Sequence, residues 1–198
     1  MIETDATNLD ELRRSDDRGD EPPEPLRRFY GKYRGTVLSN VDPERRGRLL
    51  VQVPDVYGLF PSTWALPCVP LSGLQTGVYA VPPPGAKVWV EFEHGDPDYP
   101  VVAGGFWGLI AEVPALAQLV PPIFPAPPTI ALQTPSPAGG LHGILVSSAA
   151  APLPNGGVLL QSGPSSIAVT PQGVVIVAPQ VSIVGPTSIN GDALVIAL

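Results

Sequence analysis

Between Val113 and Gly191 the chain carries no Asp, Glu, Lys or Arg. Pro and Gly recur through the same interval, in runs such as Val120-Pro121-Pro122 and Ala126-Pro127-Pro128. Together these properties exclude most folds. Interior prolines remove backbone donors and clash with the preceding turn, so a long helix is ruled out. No uninterrupted apolar run approaches the ~20 residues needed to span a bilayer. A charge-free surface also lacks the repulsion that keeps folded copies apart. This half is therefore expected to be strand-rich and buried in a homo-oligomer. The alternative is a surface solvated by Ser, Thr, Gln and Asn alone.

Charge is segregated elsewhere. All eleven Lys and Arg lie at or before Lys87, and nine of the eighteen acids fall between Glu3 and Glu24. The net charge of -7 argues against nucleic acid as the main partner, because phosphate affinity needs clustered Lys and Arg. Cys68 is the sole cysteine, which excludes an internal disulfide framework or a CxxC zinc site. The first residues, MIETDATNLDELRR, are acidic and polar, unlike a secretory signal, so synthesis and assembly are expected in the cytoplasm. Four parts follow. Residues 1–28 read as a disordered or docking arm, rich in acids and punctuated by Glu21-Pro22-Pro23-Glu24-Pro25. Residues 29–108 carry strand and turn signals. Residues 109–155 form a Pro/Ala-rich connector, expected to be extended with a turn of helix near Ala115–Leu119. Residues 156–198 are short strands separated by Gly and Pro.

In the second part, Tyr33–Leu38 and Gly47–Val53 are β-rich and flank the turn signature Asn40-Val41-Asp42-Pro43. The clearest alternation is Lys87–Glu93. Val88, Val90 and Phe92 face one way, and Lys87, Trp89, Glu91 and Glu93 the other. His94-Gly95-Asp96-Pro97-Asp98 turns the chain, and Tyr99–Phe106 returns as a strand. Short strands at regular spacing predict a compact barrel of the OB type, with Trp64 and Trp89 filling or flanking it.

Three stretches carry a resemblance: GTVLSNVDPERRGRLLVQVPDVYG, STWALPCVPLSG and PPPGAKVWVEFEHGDPDYPVVAGGFWG. In order and spacing they resemble the OB domain of contractile-injection spike proteins. That group includes the VgrG proteins of type VI secretion, the central spikes of contractile phage tails and the baseplate protein V family. The resemblance covers Gly35–Gly108. It implies a structural spike at the centre of a baseplate, leading the inner tube through a target envelope and meeting the membrane only mechanically. VgrG proteins also carry a large amino-terminal hub domain. Here only about thirty residues precede the OB region. A separate hub or baseplate protein is thus expected, which favours a phage-like or free injection system.

The last part repeats GVLLQSG, SIAVTPQG, GVVIVAP, QVSIVGP, TSINGD and ALVIAL, one unit per roughly six to eight residues. A single such strand cannot bury its apolar side, whereas stacked units can. The fold expected is therefore all-β: an OB barrel followed by a trimeric triangular β-helix. The trimer core is assigned to Ile167, Val169, Val174, Ile176, Val181, Ile183 and Ile189. The chain ends Ala193-Leu194-Val195-Ile196-Ala197-Leu198, an apolar face expected to dock a small tip protein. Related spikes use a PAAR-type cone there. The H-x-H iron site of some short spikes is absent, since no His follows His142.

Candidate chemistry is sparse. Glu93, His94, Asp96 and Asp98 offer hard oxygen ligands of the kind that attract Ca²⁺, but they read as a solvated hairpin loop. Cys68 reads as a buried structural thiol without an activating His nearby in sequence. Glu91 and Glu93, i and i+2 on one strand face, lie about 6–7 Å apart, and with Lys87 beside them read as solvated surface. No catalytic, cofactor-binding or metal-binding residue is assigned, and no enzyme activity is expected. The alternative function is an OB-type binding module for oligosaccharide or single-stranded nucleic acid. Basic residues interleaved with aromatics would favour that module.

Overall fold

The computed structural model describes residues 27–136, 140–151, 153 and 155–184. They form two compact units that divide between Phe106 and Trp107. Among the described residues no helix is long and apolar enough to cross a membrane.

The first unit is a curled five-stranded sheet consistent with an OB fold. Its strands are β1 (Tyr33–Ser39), β2 (Leu50–Gln52), β3 (Leu66–Pro67), β6 (Lys87–Phe92) and β7 (Pro100–Gly105), in the order β2-β1-β6-β7-β3. The remaining strands, β4 (Ser72–Gly73) and β5 (Thr76–Gly77), form a separate ribbon. β3 runs parallel to β7, while Ala65, the residue just before it, bridges Leu49 on the opposite edge. One short segment thus ties both edges of the sheet together and curls it over the core.

That core follows from the alternation in β6. Val88, Val90 and Phe92 are buried, packed with Val37, Leu49, Val51, Val53 and Val102. Phe29 joins them, with its ring 6.0 Å from Tyr33 and 6.1 Å from Phe92. Lys87, Trp89 and Glu91 face outward, half-buried. Trp64 also flanks the barrel, beneath the guanidinium of Arg48 at 5.5 Å.

Three local expectations are corrected. Regular pairing in the second strand spans only Leu50–Gln52, since β1 ends at Ser39 opposite Leu50, and Leu49 bonds across to Ala65. Glu93 does not continue β6. A 3-10 turn begins there, with His94 at φ 52°, so Glu91 and Glu93 do not share a strand face. Cys68 is exposed rather than buried. It lies just past β3, where its N–H bonds the Val102 carbonyl at 2.9 Å.

The second unit is an antiparallel meander, again five-stranded. Its strands are β8 (Thr129–Pro135), β9 (Leu141–Ser147), β10 (Gly157–Ser162), β11 (Ser165–Thr170) and β12 (Gly173–Val177), each hydrogen-bonded to the next in sequence. Residues 109–155 are therefore more than an extended connector. They supply β8 and β9 and two 3-10 turns, Ile110–Glu112 and Ala117–Leu119. The second turn falls where the helical turn was expected. Its neighbour Leu116 is fully buried with Leu145, Ala150, Leu153 and Leu159.

Candidate assembly face

Strand alternation sorts the meander into two unlike faces. Residues directly opposite in an antiparallel ladder share a face. One face carries Ala131, Leu145, Leu159 and Ala168 in a row, followed by Gln133, Gly143, Gln161 and Ser166. The Leu116 segment covers this face. Gly143 makes that approach possible, since a Cβ there would lie 2.5 Å from Leu116 Cδ1 and 2.6 Å from the Leu132 carbonyl oxygen. Gln133 Oε1 accepts the Leu116 N–H at 2.9 Å, so the covering segment is held by polar as well as apolar contacts.

The other face is built from the alternate residues. Two cross-strand rows run its width: Ile130, Val146, Val158, Val169 and Val174, then Leu132, Ile144, Leu160, Ile167 and Ile176. All ten are aliphatic. Val158 is half-buried, and the other nine are 38% to 64% exposed. The rows end at a polar margin, where His142 Nδ1 meets Ser162 Oγ at 2.9 Å. A block of large aliphatics across a whole sheet face differs from the scattered apolar residues normal on a monomer. Surfaces of that kind are used as interfaces.

Four of the seven assigned core residues, Ile167, Val169, Val174 and Ile176, lie together on this face. Val181 lines a shallow groove of about 540 Å³ with Leu160, Ile167 and Ile176. Ile183 is 71% exposed beyond the last strand. Ile189 and the assigned docking residues Ala193, Leu194, Val195, Ile196, Ala197 and Leu198 lie outside the described residues. Sequence reasoning missed six members of the face: Ile130, Leu132, Ile144, Val146, Val158 and Leu160. The signal was present as period-two spacing, Ile130/Leu132 and Ile144/Val146, inside a stretch dominated by its prolines.

In the first unit, the signature Asn40–Arg48 proves to be organised by one carboxylate. Asp42 accepts the backbone N–H of Glu44 at 3.0 Å, of Arg46 at 2.8 Å and of Arg48 at 3.2 Å. It also takes the Arg48 guanidinium at 3.1 and 2.8 Å. The guanidinium is the main cause holding the Asp42 carboxyl well below its usual range; desolvation opposes it and the backbone donors add to it. Arg48 is raised in turn, chiefly by Asp42. The loop can close this way because Gly47 takes φ 76°.

At the opposite turn, Asp96 binds Arg28 at 3.0 Å and caps the Asp98 N–H at 3.1 Å. The Tyr57 hydroxyl donates to the Pro97 carbonyl. Burial, then Asp98 and Asp96, push the Tyr57 hydroxyl up to about 12. Glu93, His94 and Asp98 are exposed around this turn. Among the described residues no three His, Cys, Asp or Glu side chains gather as a metal site would require.

Residues 33–107 match the family described as the type VI secretion system/phage-baseplate injector OB domain. The match covers a little over a third of the chain and coincides with the curled sheet of the first unit. No curated protein matches the chain.

Proposed function

We propose, from an injector-type OB unit joined to a charge-free apolar sheet, that the protein is a homotrimeric spike at the centre of a contractile-tail baseplate. The observation that carries this reading is the ten-residue aliphatic face, which the described residues of a single chain leave largely open to water. Burying apolar area stabilises by roughly 25 cal/mol per Å², so the face drives association. Three copies related by a closed three-fold ring would turn these faces inward as the walls of a prism. The triangular β-helix was expected over residues 156–198; Gly157–Val177 run instead as antiparallel strands of one sheet, so the prism is proposed to be walled by these sheets.

The mechanism is mechanical. A prism with a dry interior and few free strand edges resists shear, and so passes axial force from the tube to the envelope. No catalytic step is required. Baseplate proteins are the partners: a hub on the amino-terminal side and a PAAR-like cone on Ala193–Leu198. Assembly is proposed in the cytoplasm, before the particle acts outside.

Size-exclusion chromatography with light scattering tests the reading. A species of three times the 20.7 kDa chain mass is expected. A chain that stays monomeric at micromolar concentration would overturn it.

A further inference from the structure

The outward side of the OB sheet carries a second surface, unlike the first. Arg34 on β1 stands opposite Trp89 on β6. Its guanidinium lies 5.2 Å from the Trp89 ring and 4.9 Å from the Phe106 ring, and these two rings are 4.6 Å apart. Two residues along, Lys87 stands opposite Thr36 and donates to its hydroxyl at 3.2 Å. Toward the other end, Lys32 pairs with Glu91. Among the described residues no carboxylate lies within ion-pair distance of Arg34 or Lys87, although Arg34 is exposed. The surface therefore joins two half-buried rings, tilted 36° to each other, to two cations that lack a counter-charge among the described residues.

The chain holds a complementary segment. Residues 1–26 carry nine acids against Arg13, Arg14 and Arg18, which is -6 of the whole chain's -7. The last part of it reads Asp20-Glu21-Pro22-Pro23-Glu24-Pro25. Proline fixes φ near the polyproline II value and loses little entropy on docking, and aromatic platforms bind such segments. Geometry also favours this segment. The chain enters the unit where the Phe29 N–H bonds the Gly95 carbonyl at 2.8 Å and Arg28 binds Asp96. Phe29 packs on the inward side of Phe92, the last residue of β6, so the preceding residues round the strand end to reach the platform, which extends along the outward side of β6. From Phe92 to Lys87 is about 17 Å of strand. About six extended residues cover that distance, so Asp20, Glu21 and Glu24 all reach it.

We infer that the acidic proline segment Asp20–Pro25 docks in cis on the Arg34–Trp89–Phe106 platform. Its carboxylates meet Arg34 and Lys87, and its prolines lie on the rings. The inference holds whether or not the chain forms a trimer.

Trypsin cleavage after Arg18, followed by mass spectrometry on the full chain, tests it. Docking slows this cleavage about tenfold relative to Arg34→Glu or to Glu21→Lys/Glu24→Lys, the scale of two or three exposed charge pairs. The arm variant leaves the OB unit untouched, so it decides the matter if Arg34→Glu misfolds. Combining the two variants should restore protection, and raising salt should remove it in the wild type. Equal rates in the wild type and the arm variant would overturn the inference. So would protection that appears only at high protein concentration. Tight binding of a dT12 oligonucleotide to the platform, unaffected by the arm variant, would assign the surface to nucleic acid instead.

Discussion

Asp42 illustrates how one side chain organises a loop. Its carboxylate gathers three backbone donors and one guanidinium, so three residues of the turn, Glu44, Arg46 and Arg48, are held by a single group. Because its folded-state pKa is depressed below the ordinary 3.8, its stabilisation is fully present above the unfolded value. That stabilisation is lost as pH falls from about 5 through the acid range. Urea midpoints of the wild type should therefore drop steeply below about pH 4. Asp42→Asn should start lower at pH 7 and fall less, and parallel pH profiles would contradict the assignment. Gly47 gives a second test at this scale. Alanine at φ 76° is strained, and its Cβ would meet the Tyr79 ring at 3.2 Å. Gly47→Ala should cost about 1–2 kcal/mol in urea unfolding monitored by tryptophan emission.

At the scale of the element, β9 places opposite roles on adjacent residues. Leu145 is fully buried against Leu116, while Ile144 lies on the open face at 39% exposure. Leu145→Ala removes packing inside one chain and should cost about 3 kcal/mol. Its oligomer mass should remain while the thermal midpoint falls. Ile144→Asp places a carboxylate in the proposed dry interior, where charge without a partner is prohibitively expensive. That variant should lose the oligomer in light scattering and keep the strand signal of the single chain. A reversed pattern would mean that the two faces have been assigned the wrong way round.

For the whole molecule, the two units differ in what completes them. The OB unit has its own closed core and its own salt bridges. Among the described residues the meander has one covered face and one open face, and its last strand is exposed on both sides, with Val174 at 63% and Val175 at 55%. The OB unit should therefore survive disruption of the assembly. Ile183→Asp should abolish the proposed trimer in light scattering while the near-ultraviolet signal of Trp64 and Trp89 persists. A variant that stays trimeric and heat-resistant would remove Ile183 from the proposed axis.

Much of this was legible in the residues themselves, because the patterns concerned are local. The inward set Val88, Val90 and Phe92 follows from the two-residue period of a strand, whose side chains must alternate. The absence of charge from Val113 to Gly191 raised burial against other copies as an expectation, which the proposed assembly takes up. The turn chemistry of Asp42-Pro43 and Gly47 could also be read directly, because proline and glycine restrict the backbone wherever they stand. Other features depended on which strand lies beside which. Ile130 and Val174 meet in one row only through four successive pairings. Glu93 left the strand because a 3-10 turn begins there, and Cys68 became exposed beyond a short edge strand. Arg34, Trp89 and Phe106 come from three separate places in the chain, and only the folded sheet stacks them. Alternation can be read from neighbours in sequence, but registry across strands is set by closing loops and by packing, which no single stretch contains.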